Sequence, residues 1–180
     1  MTFVLTILFF RKDGKWDAVR GKIAFRYFTV LSNVLCALGA LALCLFPESR
    51  WAWLLKYTGT AAVAVTLLTV LLFLGPTFGY RALLKGADFF LHLITPLLAV
   101  FSFSFLEKRG LGFPEALLGL LPVLLYGGVY TYKILLAPQE KAWEDFYGFN
   151  RGGKWPLSMA GMGSGALLIC LGLMALQNLP

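Results

Sequence analysis

The chain has 180 residues and a formal net charge of +7, with 59% apolar and 14% charged side chains. A soluble domain carries about a quarter charged residues, and the charges here lie between long uncharged windows, which excludes a water-soluble globular fold. The basic excess follows the same segregation, so it marks membrane topology and some attraction to anionic headgroups, with no nucleic-acid partner.

Uncharged windows run over 27–47, 57–80, 116–132 and 155–180, and 86–106 is interrupted only by Asp88 and His92. A helix needs about 20 apolar residues to cross the hydrocarbon core. Four windows reach that length outright, and 116–132 reaches it when Lys133 snorkels from a helix continuing toward Ala137. A backbone in lipid must satisfy its own hydrogen bonds, so the windows are helices. The expected fold is an all-α integral membrane protein, one domain over residues 1–180: a bundle of five full transmembrane helices plus a short N-terminal helix.

In chain order, the opening "MTFVLTILFF" rises roughly 15 Å as a helix, about half the core. It lacks the pattern of a signal peptide and counts as the short first helix. The second helix is expected over Ile23–Phe46, stopped before "PESR". The third covers Lys56–Leu74 and is closed by "GP" at 75–76. The fourth runs over Leu84–Leu106, the fifth over Pro114–Leu136 and the sixth over Pro156–Gln177. The connections 11–26, 81–85 and 133–154 hold twelve of the sixteen Lys/Arg, leaving Arg50, Lys56, Lys108 and Arg109 for the other side. That asymmetry predicts a cytoplasmic location for the three basic connections and puts both termini outside.

Three further stretches have a bland and a sharp reading. The connection "PQEKAWEDFYGFNRGGKWP" at 138–156 reads as an interfacial segment anchored by aromatics, ahead of a lid over a site. "GMGSG" at 161–165 follows no strand, so its Gly161 and Gly165 predict a close helix–helix contact, not a phosphate loop. Cys36, Cys44 and Cys170 lie within spans without a C-x-x-C pair and read as small buried hydrophobes. A single histidine excludes a haem with two axial imidazoles, and no cofactor is expected.

The polar residues inside the windows carry the functional signal, because ionisable groups within a span are costly unless partnered. In "DFFLHLITP", Asp88 stands four residues before His92 on one helical face. An ionised Asp88 would accept one ring N–H and leave the other nitrogen free as a proton acceptor. Pro96 lacks an N–H and presses on the carbonyl four residues back, so a kink is expected at His92 with that carbonyl open. In "FRYFTVLSN", Thr29, Ser32 and Asn33 share a face of the second helix, with Arg26 three residues before Thr29. Level alone permits a hydroxyl–imidazole dyad without selecting among Thr29, Ser32 and Asn33. The bland readings are a histidine bonded to a neighbouring helix, hydroxyls bonded to their own backbone, and an asparagine joining helices.

The "F-T" opening one span, followed two spans later by "H-x-x-x-P", resembles the androgen-induced membrane protein family and its bacterial six-span relatives. "YFTVLSN" and "HLITPLL" carry most of the likeness. The resemblance implies a six-helix topology and a bacterial cytoplasmic membrane. It also implies hydrolysis of fatty-acid esters of hydroxy fatty acids, with Thr29 as nucleophile and His92 as base. Asp88, Asn33, Ser32 and Arg26 would support them, and a fatty-acyl ester would be the substrate. Two other classes compete. One is a small transporter or channel in which Asp88, His92, Arg26, Tyr126, Tyr130 and Tyr132 line a polar path. The other is a scaffold or lipid sensor whose buried polar groups only set helix register.

Overall fold

The computed structural model describes residues 2–12 and 15–180. A short helix α1 (Thr2–Leu8) leads into a two-residue antiparallel ladder of β1 (Arg11–Lys12) and β2 (Lys15–Trp16), then α2 (Ala18–Ala24). Long helices follow at α3 (Phe28–Leu45) and α4 (Arg50–Phe78). After the short α5 (Tyr80–Leu83) come α6 (Ala87–Leu106), α7 (Phe113–Leu135) and α8 (Trp155–Asn178). α3, α4, α6, α7 and α8 are long and apolar enough to cross a membrane. α1, at seven residues, rises only about 10 Å. The chain is therefore a multi-pass helical membrane protein of five full spans and a short first helix.

The expected second helix is broken. Asp17 caps α2 by accepting the Arg20 N–H at 2.9 Å, and Gly21 lets α2 lie on the Phe10 ring, where a Cβ would come within 2.2 Å. The chain turns at Phe25–Tyr27 and restarts as α3, so Thr29 stands in that helix's first turn.

"GP" at 75–76 does not close the third span. α4 starts earlier than expected, at Arg50, because Ser49 Oγ accepts the Ala52 N–H at 3.3 Å. It then passes through the proline by widening into a π-helical turn at Val70–Leu74. There Gly75 donates to the Val70 carbonyl, five residues back, and Pro76 has no N–H to give. The Leu71 carbonyl is orphaned, and Tyr80 Oη donates to it at 2.7 Å. α6 repeats the device at Phe90–Ile94: Thr95 donates to Phe90, Pro96 donates nothing, and the Leu91 carbonyl is released. π-turns of this kind often sit at functional sites.

α4 is the centre of the bundle, with Trp53, Tyr57, Thr60, Ala61, Ala62 and Val63 fully buried. α3 crosses it at backbone contact: a Cβ on Gly59 would lie 2.5 Å from Cys36 Cα, and one on Gly39 would lie 2.7 Å from the Leu55 carbonyl oxygen. This is the small-residue packing expected of helices in lipid. It is not made by the predicted pair, since a Cβ on Gly161 or Gly165 would meet nothing within 4 Å. Of the cysteines, Cys36 and Cys170 are buried, but Cys44 is exposed on the lipid-facing side of α3. Leu45, Leu72, Phe73, Leu125 and Leu168 are likewise more than 60% exposed, as suits a surface solvated by acyl chains.

Candidate functional site

His92 and Thr29 meet. Thr29 Oγ1 lies 3.2 Å from His92 Nε2, and His92 Nδ1 lies 2.7 Å from the Leu83 carbonyl oxygen. A carbonyl can only accept, so Leu83 holds the ring proton on Nδ1 and leaves Nε2 to accept the threonine O–H. The ring is buried, at 8% exposed, and Thr29 is half-buried.

The ring's partner corrects the expectation for Asp88. Leu83 ends the short helix α5, where last-turn carbonyls lack intrahelical donors. The fold across Leu84–Gly86 brings that carbonyl onto the imidazole. Asp88 accepts no hydrogen bond from the ring and instead sits in the first turn of α6, lining the same cavity.

Asn33 is fully buried and joins the two helices: its Nδ2 donates to the Thr29 carbonyl at 2.8 Å and to the Leu91 carbonyl at 3.0 Å. The carbonyl opened by Pro96 and answered by a side chain is therefore that of Leu91, one residue before the expected His92, because the helix is π-wound there. With both amide protons committed, Asn33 is a clamp and has none left for an oxyanion. Ser32 turns the other way. Its Oγ donates to the Thr29 carbonyl at 3.1 Å and pairs with Thr66 Oγ1 at 2.9 Å. Of the three candidate groups on this face, Thr29 is the one beside the imidazole.

The dyad opens on a cavity of about 410 Å³ bounded by the loops of one end of the bundle. Arg20, Tyr27, Leu74, Phe78, Phe146 and Tyr147 line it with the dyad and Asp88. Thus the 138–156 connection does more than anchor. Asp145 organises it, Oδ1 accepting from Tyr130 Oη at 2.9 Å and the Phe149 N–H at 2.7 Å, and Oδ2 from the Asn150 N–H at 2.7 Å. Phe146 then packs at a tilt against Tyr27, with ring centroids 4.6 Å apart. Tyr147 Oη accepts the Phe28 N–H at 3.1 Å, capping α3 one residue before Thr29. Burial pushes the Tyr147 phenol above its ordinary pKa, so it stays protonated at neutral pH.

Arg26 lies outside this cavity. Its guanidinium is 5.9 Å from the Trp143 ring centroid, and Tyr126 Oη donates to its carbonyl at 2.7 Å. Tyr126 lines a second cleft, Tyr130 is bonded to Asp145, and Tyr132 is half-exposed. Arg26 and these tyrosines thus do not line the cavity that holds Asp88 and His92. Sequence reading missed Arg20, Tyr147 and the Leu83 carbonyl. The aromatic density of the 138–156 connection was the only signal for Tyr147, and nothing local marked the other two.

No protein-family model, curated protein or solved structure matches the chain.

Proposed function

We propose that the protein is an intramembrane hydrolase of fatty-acyl esters, with Thr29 as nucleophile and His92 as general base. One observation carries this reading: the 3.2 Å contact of Thr29 Oγ1 with an Nε2 whose ring is oriented from behind by the Leu83 carbonyl. Nucleophile, base and orienting acceptor form the constellation that activates a hydroxyl. The likeness of "YFTVLSN" and "HLITPLL" to the androgen-induced membrane protein family supports the same chemistry. A π-turn, two clamped carbonyls and a fully buried asparagine hold this geometry, more than a structural histidine requires.

In this reading His92 Nε2 takes the proton as Thr29 Oγ1 bonds to the ester carbonyl carbon. The carbonyl electrons move onto oxygen. The N–H of Thr29 itself is the available donor for that oxyanion: first-turn N–H groups have no intrahelical acceptor, and among the described residues this one has none elsewhere. Collapse breaks the C–O bond to the alcohol, which leaves with the proton from His92. Water, deprotonated by the same imidazole, then frees the acid and restores Thr29. The apolar wall of Leu74, Phe78 and Phe146 accommodates acyl chain, and Arg20 and Asp88 give the cavity a polar side. The excess of Lys/Arg at this end supports a site facing the cytoplasm, and the family likeness supports a bacterial membrane.

The test uses the purified protein with a fluorophosphonate probe and a panel of lipid esters, alongside Thr29→Ala, His92→Ala and Ser32→Ala. Thr29→Ala loses labelling, His92→Ala slows turnover by about 10²–10⁴-fold, and Ser32→Ala remains labelled. Loss of labelling in Ser32→Ala alone moves the nucleophile. Absence of labelling and turnover in the wild type sinks the reading, and a proton-coupled flux abolished by changing Asp88 would replace it with transport.

A further inference from the structure

We propose that the slot between α3 and α7, on the other side of α3 from the dyad, binds one anionic glycerophospholipid, with its phosphate between Arg26 and Lys133 and an acyl chain along the slot. α3 and α7 both pack on α4, through Gly59 on Cys36 and through Tyr57 Oη donating to the Ala116 carbonyl at 2.6 Å. Straddling a common helix, they leave a cleft of about 410 Å³ between them, walled by Phe25, Leu31, Leu35, Leu125, Val129 and Trp143. Leu125 and Val129 are 69% and 51% exposed, so the slot opens sideways to lipid.

The charge at its mouth identifies the occupant. The Arg26 guanidinium and the Lys133 ammonium each lie 5.9 Å from the Trp143 ring centroid, which brings two cations within twice that distance of each other. Among the described residues neither has a carboxylate within ion-pair range, and Lys133 Nζ reaches only the Lys141 carbonyl, at 3.4 Å. Among the described residues the ion pairs are Arg50–Glu115 and Lys56–Glu107, both at the other end. The nearby Asp145 spends both oxygens on Tyr130, Phe149 and Asn150, and Glu144 is exposed and pairs with neither cation. Arg26 immediately precedes one uncharged window and Lys133 immediately follows another, so both stand at headgroup depth. An anion covalently joined to a long apolar chain answers both features, and basic pockets between spans take anionic headgroups. A soluble phosphate ester would leave the apolar walls unused. Ser32 lines the slot while bonding the Thr29 carbonyl, so this lipid would lie one helix thickness from the substrate cavity and be distinct from it.

Protein in neutral detergent is titrated with phosphatidylglycerol or phosphatidylcholine, and retained lipid is counted by native mass spectrometry. One phosphatidylglycerol is retained in preference to phosphatidylcholine. Arg26→Gln/Lys133→Gln weakens its retention about thirtyfold, whereas Lys15→Gln/Lys22→Gln, which removes the same charge elsewhere at this end, does not. Equal weakening in the two double variants means diffuse attraction and overturns the site. Val129→Trp fills the slot without altering charge and lowers retention of both lipids; unchanged retention there overturns the acyl-chain seat. Displacement of the lipid by an equal concentration of glycerol 3-phosphate would assign the cations to a soluble phosphate and also overturn it. Circular dichroism establishes that each variant is helical. The readout needs no turnover and is repeated on Thr29→Ala, so it stands or falls apart from the hydrolase reading.

Discussion

The two ends of the bundle treat polar groups in opposite ways. At the end away from the dyad all four cations are matched. Arg50 makes a two-pronged pair with Glu115, Nε to Oε1 at 2.9 Å and Nη2 to Oε2, and donates to the Gly110 carbonyl at 2.9 Å. Lys56 reaches Ser102 Oγ at 3.1 Å and Glu107 at 3.6 Å, Lys108 donates to the Leu179 carbonyl at 2.8 Å, and Arg109 donates to the Pro47 carbonyl. At the dyad end, by contrast, no described cation is in an ion pair, Arg20 and Lys133 reaching only the Arg11 and Lys141 carbonyls, and the threonine and imidazole open on a cavity. A polar group in a greasy chain is thus a functional candidate when its partners leave it an open valence. Lys56, at 5% exposed, is as buried as His92, but its charge is answered by Glu107.

The largest expected effect falls at the closed end. Lys56→Met strands the Glu107 carboxylate and destabilises the fold by about 3 kcal/mol or more, and adding Glu107→Gln restores most of the loss. Thermal or SDS-driven unfolding measures both, while turnover per folded molecule stays constant. A loss confined to turnover would erase the distinction between the ends. A smaller effect, about 2 kcal/mol, is expected for Asn33→Ala, which removes the donor from two buried carbonyls. It also loosens the register of Thr29 against His92, so probe labelling slows in proportion. Full labelling speed in a destabilised Asn33→Ala protein would show that the clamp serves the fold alone.

What could be read from the sequence follows from range. The five spans are legible because exclusion of charge from lipid writes itself over some 20 residues at a time. The break at Phe25–Tyr27 is not: no proline or glycine stands there, and the Tyr147 hydroxyl that caps the restart at Phe28 lies 119 residues away in the chain. Both prolines announced a disturbance. The π-turn, however, lets the helix run on through Pro76 and frees the Leu91 carbonyl where His92's was expected. Thr29 and Ser32 are indistinguishable by spacing; the contact of Thr29 with His92, 63 residues away in the chain, separates them, while Ser32 pairs with Thr66. Asp88 looked like the imidazole's partner because it lies one turn away on the same helix. The actual partner, Leu83, is a main-chain group across a loop, and nothing in its side chain marks it.

The smallest effect concerns α8, which shows the same polarity along a single helix. Three of its four buried residues, Cys170, Leu173 and Gln177, lie in the half toward the closed end, and the fourth, Ala166, stands at its middle. Gly161 and Gly165 lie in the other half, with open space where a side chain would go. If they held two helices of this chain together, alanine there would force them apart, as a Cβ on Gly59 would against Cys36. With nothing to meet, Gly161→Ala and Gly165→Ala instead remove backbone freedom from a helix interior. Each should stabilise by up to about 1 kcal/mol, seen as a small rise in unfolding temperature with labelling unchanged. This half of α8 packs on α7 through Met159 and Met162, which lie against Gly127, so destabilisation in detergent-solubilised monomer would mean that the glycine face is packed within the chain as well. Destabilisation that appears only on raising protein concentration would locate the contact between two copies, leaving the contrast within one chain intact.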